Sequence, residues 1–143
     1  MTNNSFENLQ VYQLSENLAD EIWKIVAGWD SFAANTFGMQ IVKSADSIGA
    51  NIAEGTGRGS YVDNKRFVNI ARGSLYETKH WLRRAVKRNY LTNQQAETLR
   101  SLINELAPRL NAYLNSIAKN CNQSKINQNK GNRRHPQQIT NNK

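Results

Sequence analysis

One cysteine, Cys121, stands in a sequence of 143 residues, with two prolines and two histidines. A lone cysteine excludes an intrachain disulfide and any cysteine-rich zinc site, and it is compatible with a reducing compartment. Long apolar runs are missing as well: nothing approaches the ~18 residues needed to span a bilayer. The opening MTNNSFENLQ has neither a basic stretch nor an apolar one of the kind that directs secretion. A cytoplasmic protein with no membrane partner is the expectation. Acidic residues are the other scarcity, 11 against 19 Lys and Arg, for a net charge of +8. That excess biases the partners toward anions, nucleic acid among them. At this length one domain with a single modest core is expected.

The most informative stretch is 40–82, which reads as helix, glycine turn, helix. Ile41, Ala45, Ile48 and Ile52 recur at alternating steps of four and three, the stripe of a helix that buries one side. Beside it Gln40, Ser47, Asn51 and Glu54 form a polar stripe. Polar groups so near a seam are expected to find partners on the next helix, with a cost of roughly 1 to 3 kcal/mol for each one stranded. That helix offers Ser74 and Glu77 beside its own stripe of Val68, Ala71, Leu75, Thr78, Leu82 and Ala85, and Gly73 would permit close backbone approach. The six polar residues are therefore expected to form a structural network.

Taken in order, Gln40, Ser47, Ile48, Asn51, Ile52, Ala53, Glu54, Gly55, Gly57 and Arg58, followed by Phe67, Ala71, Gly73, Ser74 and Glu77, form a long pattern. It closely resembles that of the bacterial four-helix bundle family that includes the protein encoded in intervening sequences of 23S ribosomal RNA genes. The resemblance runs from about Phe6 to about Ile117, its opening echoed by Phe6, Leu9, Val11 and Tyr12. One departure is Ser31-Phe32-Ala33-Ala34-Asn35, where members often carry Pro and then Glu. The resemblance implies a homo-oligomer, specifically a pentamer. A related bundle group serves reverse transcriptases of diversity-generating retroelements, so it also implies a reverse transcriptase as a conceivable partner.

The first helix is expected to start after Asn4 or Ser5, either a suitable cap, and to run to about Ala27, stopped by Gly28, with Val11, Leu14, Leu18, Ile22 and Ile25 inward. A second flank of Tyr12, Ala19, Trp23 and Val26 either covers the bundle ends or meets another subunit. Trp29 and Phe32 are expected to pin the following loop, and Asn35 or Thr36 to cap the second helix. Gly55 should end that helix, and Ser60 with Asp63 should cap the third. A glycine turn beside Arg58 could hold a phosphate. With no strand before it, a simple reversal of the chain is the cheaper reading. Thr92 with Gln95 marks a capping box for a fourth helix whose seam is Leu99, Ile103, Leu106, Leu110, Tyr113 and Ile117. Pro108, lacking a donor for the Asn104 carbonyl, should kink it.

On the third helix Lys65, Arg72, Lys79 and Arg83 fall along one side, and Arg84 and Lys87 add charge near its end. These six are the candidate nucleic-acid contacts, although a basic helix face can also be merely solvated and suits the helix dipole. Glu77-Thr78-Lys79-His80 has the Glu-x-x-His spacing of di-iron bundles. Lys79 and Arg83 would repel a cation, and no second such motif exists, so no metal or cofactor is expected. Glu54 and Glu77 could be imagined as an acid and base pair, but no nucleophile accompanies them and no enzyme activity is expected.

These readings converge on an all-α, antiparallel up-down-up-down four-helix bundle over 1–118. A basic tail over 119–143, bearing Lys119, Lys125, Lys130, Arg133, Arg134 and Lys143, is expected to be disordered. Function divides between an oligomeric RNA- or DNA-binding accessory protein and a protein-interaction scaffold.

Overall fold

The computed structural model describes residues 5–133. A single 3₁₀ turn, Phe6–Asn8, precedes helix α1 (Gln10–Ala27). A helical turn Ser31–Ala33 and a π-helical stretch Ala34–Gly38 lead into α2 (Met39–Gly57), followed by α3 (Tyr61–Lys87) and α4 (Asn93–Asn132). Contacts between helices show their directions. Gly38 lies against Val26 and Gly49 against Ser15, so α2 descends along a rising α1. Gly55 meets Asn64 and Phe67, Ser44 meets Thr78, and Asp30 meets Tyr90, which makes α3 antiparallel to α2. The Asn64 amide reaches the Tyr113 hydroxyl, while Leu82 and Arg83 share a groove with Leu99 and Ile103. Finally α4 closes on α1: Arg109 donates to Gln10 at one end, and Gln94 lies beside Ile25 at the other. The chain is the expected four-helix bundle, its helices packed in a ring.

The apolar stripes meet at the axis. Leu18, Ile22, Ile41, Ile48, Ile52, Val68, Leu99, Leu106 and Leu110 are almost wholly buried, each large side chain contributing roughly 1.5–3 kcal/mol by leaving water. At two points the seam runs one residue later than expected. Val26 is buried and Ile25 only half so, and Leu114 replaces Tyr113, whose hydroxyl sits at the bundle edge near Asn64. One polar pair crosses the core: the Thr78 and Ser44 hydroxyls lie 3.0 Å apart, and each also reaches a carbonyl of its own helix, Ser74 and Ile41.

Several helix ends differ from expectation. Leu9 is extended and separates the Phe6–Asn8 turn from α1, because Phe6 folds back edge-on to Tyr12 with ring centroids 4.9 Å apart. The second helical segment starts earlier than Asn35: the Asp30 carboxylate caps it, accepting from the Ala33 N–H at 3.1 Å, while the Thr36 hydroxyl donates to the Phe32 carbonyl. Of the two expected pins only Trp29 serves, packed against Phe37 and Tyr90, whereas Phe32 is 79% exposed. Helix α2 runs through Gly55 to Gly57, and Gly59 at φ 78° makes the turn. Gly55 is a contact rather than a stop: a Cβ there would lie 3.0 Å from that of Phe67. Gly73, by contrast, is exposed with open space around it, so it mediates no close approach. Asn89 at φ 60° ends α3, with the Tyr90 N–H returning to the Ala85 carbonyl. The Thr92–Gln95 capping box forms in both halves.

Beyond Lys119 the chain remains helical to Asn132, with Cys121 buried, so the expected disorder does not begin at residue 119. Extending an already nucleated helix adds a hydrogen bond per residue, and 119–130 contain neither Pro nor Gly. Every described residue after Cys121 is exposed. Residues 134–143, including Arg134, His135 and Lys143 of the expected tail, lie outside the described residues.

The Asp30 cap is also tied to the end of α3, since the Tyr90 hydroxyl donates to Asp30 Oδ1 at 2.6 Å. This bond first, and the Ala33 N–H second, lower the Asp30 pKa from its usual 3.8, while the same bond raises that of Tyr90. The carboxylate's contribution to stability is therefore present above its ordinary pKa and lost as pH falls through the lowered one. The Tyr90 contribution is present below the ordinary phenol value and lost as pH rises through the raised one. Tyr90→Phe is expected to move the Asp30 titration, followed by carboxyl NMR, back toward 3.8. An unmoved titration would assign the depression to the helix cap alone.

Candidate nucleic-acid interface

Helix α3 turns its apolar stripe inward and leaves its cations outside. Lys65, Lys79, Arg83 and Lys87 are exposed, and Arg72 and Arg84 are half-buried. Among the described residues none of the six pairs with a carboxylate. The four ion pairs among the described residues, Lys24–Glu21, Arg58–Glu54, Arg66–Asp63 and Arg100–Glu97, each join residues three or four apart and all are exposed.

The cleft between α3 and α4 gathers three of the six. Arg72 and Lys79 flank Tyr76 at the rim of a notch of ≈ 30 Å³ floored by Leu75, Ala107 and Leu110, with Asn111 on the far wall. Next to it Lys79 and Arg83 border a groove of ≈ 220 Å³ whose α4 side carries Arg100 and Asn104. Lys65, Arg84 and Lys87 line neither hollow. Tyr76 and Arg100 belong to this surface and were not among the expected contacts. Tyr76 is foreshadowed by its one-turn spacing from both Arg72 and Lys79, whereas Arg100 depends on the register of α4 against α3. The Arg72 guanidinium, by hydrogen bonding and then by its charge, lowers the Tyr76 pKa, and Lys79 acts in the same direction.

The polar stripe does not bridge α2 and α3 within the chain. Gln40, Glu54 and Glu77 are exposed, and Ser47, Asn51 and Ser74 are half-buried. Asn51 donates to the Ser47 carbonyl, Ser47 to that of Lys43 and Ser74 to that of Ile70, all within their own helices. Glu54 pairs with Arg58 at 2.8 Å, and Glu77 accepts from the Trp81 indole. Side chains of this reach are satisfied one turn away, which leaves the crossing to the shorter Ser44 and Thr78. Arg58, turned back on Glu54 and over the Phe67 ring, is not directed at a phosphate in the glycine turn. His80 meets Trp81 edge-on rather than joining Glu77, and among the described residues no three His, Cys, Asp or Glu side chains group as metal ligands.

The opposite cleft, between α1 and α2, has the other sign. Glu16, Asp20 and Asp46 line a hollow of ≈ 370 Å³ with Tyr12, Ser15 and Gly49. Burial, and then the nearby Asp20, raise the Asp46 pKa.

A family model described as 23S rRNA-intervening sequence protein matches residues 7–112, which is most of the bundle. The chain belongs to this family. A fellow bundle is the crystal structure of a protein with unknown function from the S23 ribosomal protein family of Bacteroides thetaiotaomicron. It is 28% identical, with a TM-score of 0.65, over 73% of this chain and 97% of that one. A search of curated proteins gives no match. The family match ends at residue 112, so the last stretch of α4, including Cys121, lies beyond it. No helix among the described residues of this family member is long and apolar enough to cross a membrane.

Proposed function

We propose that this member of the 23S rRNA-intervening sequence protein family is a non-enzymatic, cytoplasmic, oligomeric nucleic-acid-binding protein, with RNA the ligand its basic face fits. The observation that carries the reading is the set of six α3 cations without a carboxylate partner among the described residues, four of them along one side of the helix and three of those facing a cleft whose other wall carries Arg100. Unpaired cations along one face suit phosphate contacts, which position a nucleic acid without reading its sequence. Filter binding of unrelated RNA sequences to the purified full chain is expected to show similar affinities that fall steeply with salt. Absence of retention at the lowest salt would end the proposal.

Self-association is part of the reading. Trp23, 63% exposed, and Ile70, 45% exposed, leave apolar surface on α1 and α3 that a second copy would cover. Light scattering at micromolar concentration is expected to give a closed oligomer, a pentamer by family resemblance, and a monomer there would refute it. A protein-interaction scaffold is the second reading, favoured by Phe32, which is exposed at one end of the bundle in a hollow shared with Phe37, Arg88 and Tyr90.

A further inference from the structure

We infer that Tyr76 is a stacking platform for an unpaired base, with Arg72 and Lys79 holding the phosphates on either side, so that the α3/α4 face prefers single-stranded RNA to duplex. The inference rests on the RNA-binding reading of that face and adds the class of RNA it takes.

Most of the aromatic side chains have employment within the fold. Trp29, Phe37 and Tyr90 form one cluster, Phe6 closes on Tyr12, Phe67 lies beneath Arg58 and Arg66, and Trp81 packs on His80. Tyr76 packs on none of them and is 56% exposed. Its ring has the Arg72 guanidinium carbon 5.7 Å and the Lys79 ammonium 5.3 Å from its centroid, both within the range of a cation–π contact. Among the described residues neither cation has a carboxylate partner, so the charge of both is left for a phosphate. The notch beside the ring is bounded by Asn111, whose amide offers a donor and an acceptor to a base edge.

An exposed aromatic between two cations is the combination that single-stranded nucleic acid uses, because every unpaired base has a face to stack. In an A-form duplex the base faces are already stacked on one another and only backbone and groove edges are offered. A duplex therefore meets the cations alone. A single strand meets the cations and the ring.

The test uses the full chain with two probes, an unstructured oligouridylate and a blunt RNA duplex of equal length, followed by fluorescence anisotropy at fixed salt. The parent is expected to bind the single strand more tightly. Tyr76→Ala should weaken it on the single strand by about tenfold and leave the duplex unchanged. Tyr76→Phe should keep the parent's preference, since it keeps the ring. Circular dichroism checks that both variants remain helical, as an exposed position predicts. Equal affinity of the parent for the two probes, or equal loss on both in Tyr76→Ala, overturns the platform while leaving the RNA-binding face standing. Binding of neither probe by the parent overturns both.

Discussion

Gly55→Val is expected to destabilise the bundle by about 1–3 kcal/mol, the usual cost of forcing extra atoms into a packed interior. The α2–α3 crossing is close here: an added Cβ would stand 2.6 Å from Asn64 Oδ1, 3.0 Å from the Phe67 Cβ and 3.2 Å from the Asn64 carbonyl oxygen. The Asn64 Oδ1 has no hydrogen-bond partner to lose, though the side chain swings away only by giving up its amide's contact with the Tyr113 hydroxyl. The carbonyl and the Phe67 Cβ move only if α3 moves. Gly73→Ala, also a glycine replacement within a helix, provides the opposite sign, because nothing lies within 4 Å of its added Cβ and the position is inside α3. It should stabilise by about 0.5–1 kcal/mol through helix propensity alone. Urea denaturation of both variants measures the contrast. Equal destabilisation by the two would mean that Gly73 also sits at a contact, one between copies of the chain.

The Arg72→Gln/Arg83→Gln pair should weaken RNA binding by about a hundredfold at low salt, since charge-assisted hydrogen bonds contribute roughly 1.5 kcal/mol or more each. A more telling quantity is the slope of log affinity against log salt. Each phosphate contact accounts for roughly 0.7 to 0.9 of that slope, so removing two should flatten it by roughly 1.4 to 1.8. The loss should be similar on every sequence tried, because phosphates carry no sequence information. Neither arginine belongs to the core or to an ion pair, and the melting temperature should hold. A double variant that binds like the parent at each salt concentration would move the interface elsewhere, with the exposed cations of α4 beyond Cys121 the next candidates.

What could be read from the residues alone was whatever a period encodes. The Ile41, Ala45, Ile48, Ile52 stripe and the Val68-to-Ala85 stripe are buried as their spacing implies, because 3.6 residues per turn leaves one inward direction. The glycines were harder, since a glycine that ends a helix and one that admits a neighbour are the same letter. Gly55 has the second role, and only the position of Phe67 reveals it. The polar stripe failed for a related reason. Nearness to the seam does not specify which acceptor is within reach, and Asn51 finds the Ser47 carbonyl before anything on α3. The basic row was legible as charge, but the cleft that gives it shape was not. Its other wall, with Arg100 and Asn111, exists only once α4 has been set in register.

The two clefts of opposite sign also bear on how fast a complex forms. Helices packed in a ring place the α1/α2 hollow, with Glu16, Asp20 and Asp46, diagonally across the bundle from the cleft bordered by Arg72, Lys79 and Arg83. Such a molecule carries a permanent dipole as well as a net charge. A polyanion drifting within a Debye length, ~8 Å at physiological ionic strength, is pushed off one side and drawn to the other. If the proposed RNA binding holds, this torque turns the protein before contact, so that a larger share of encounters begins in the productive orientation and the association rate rises.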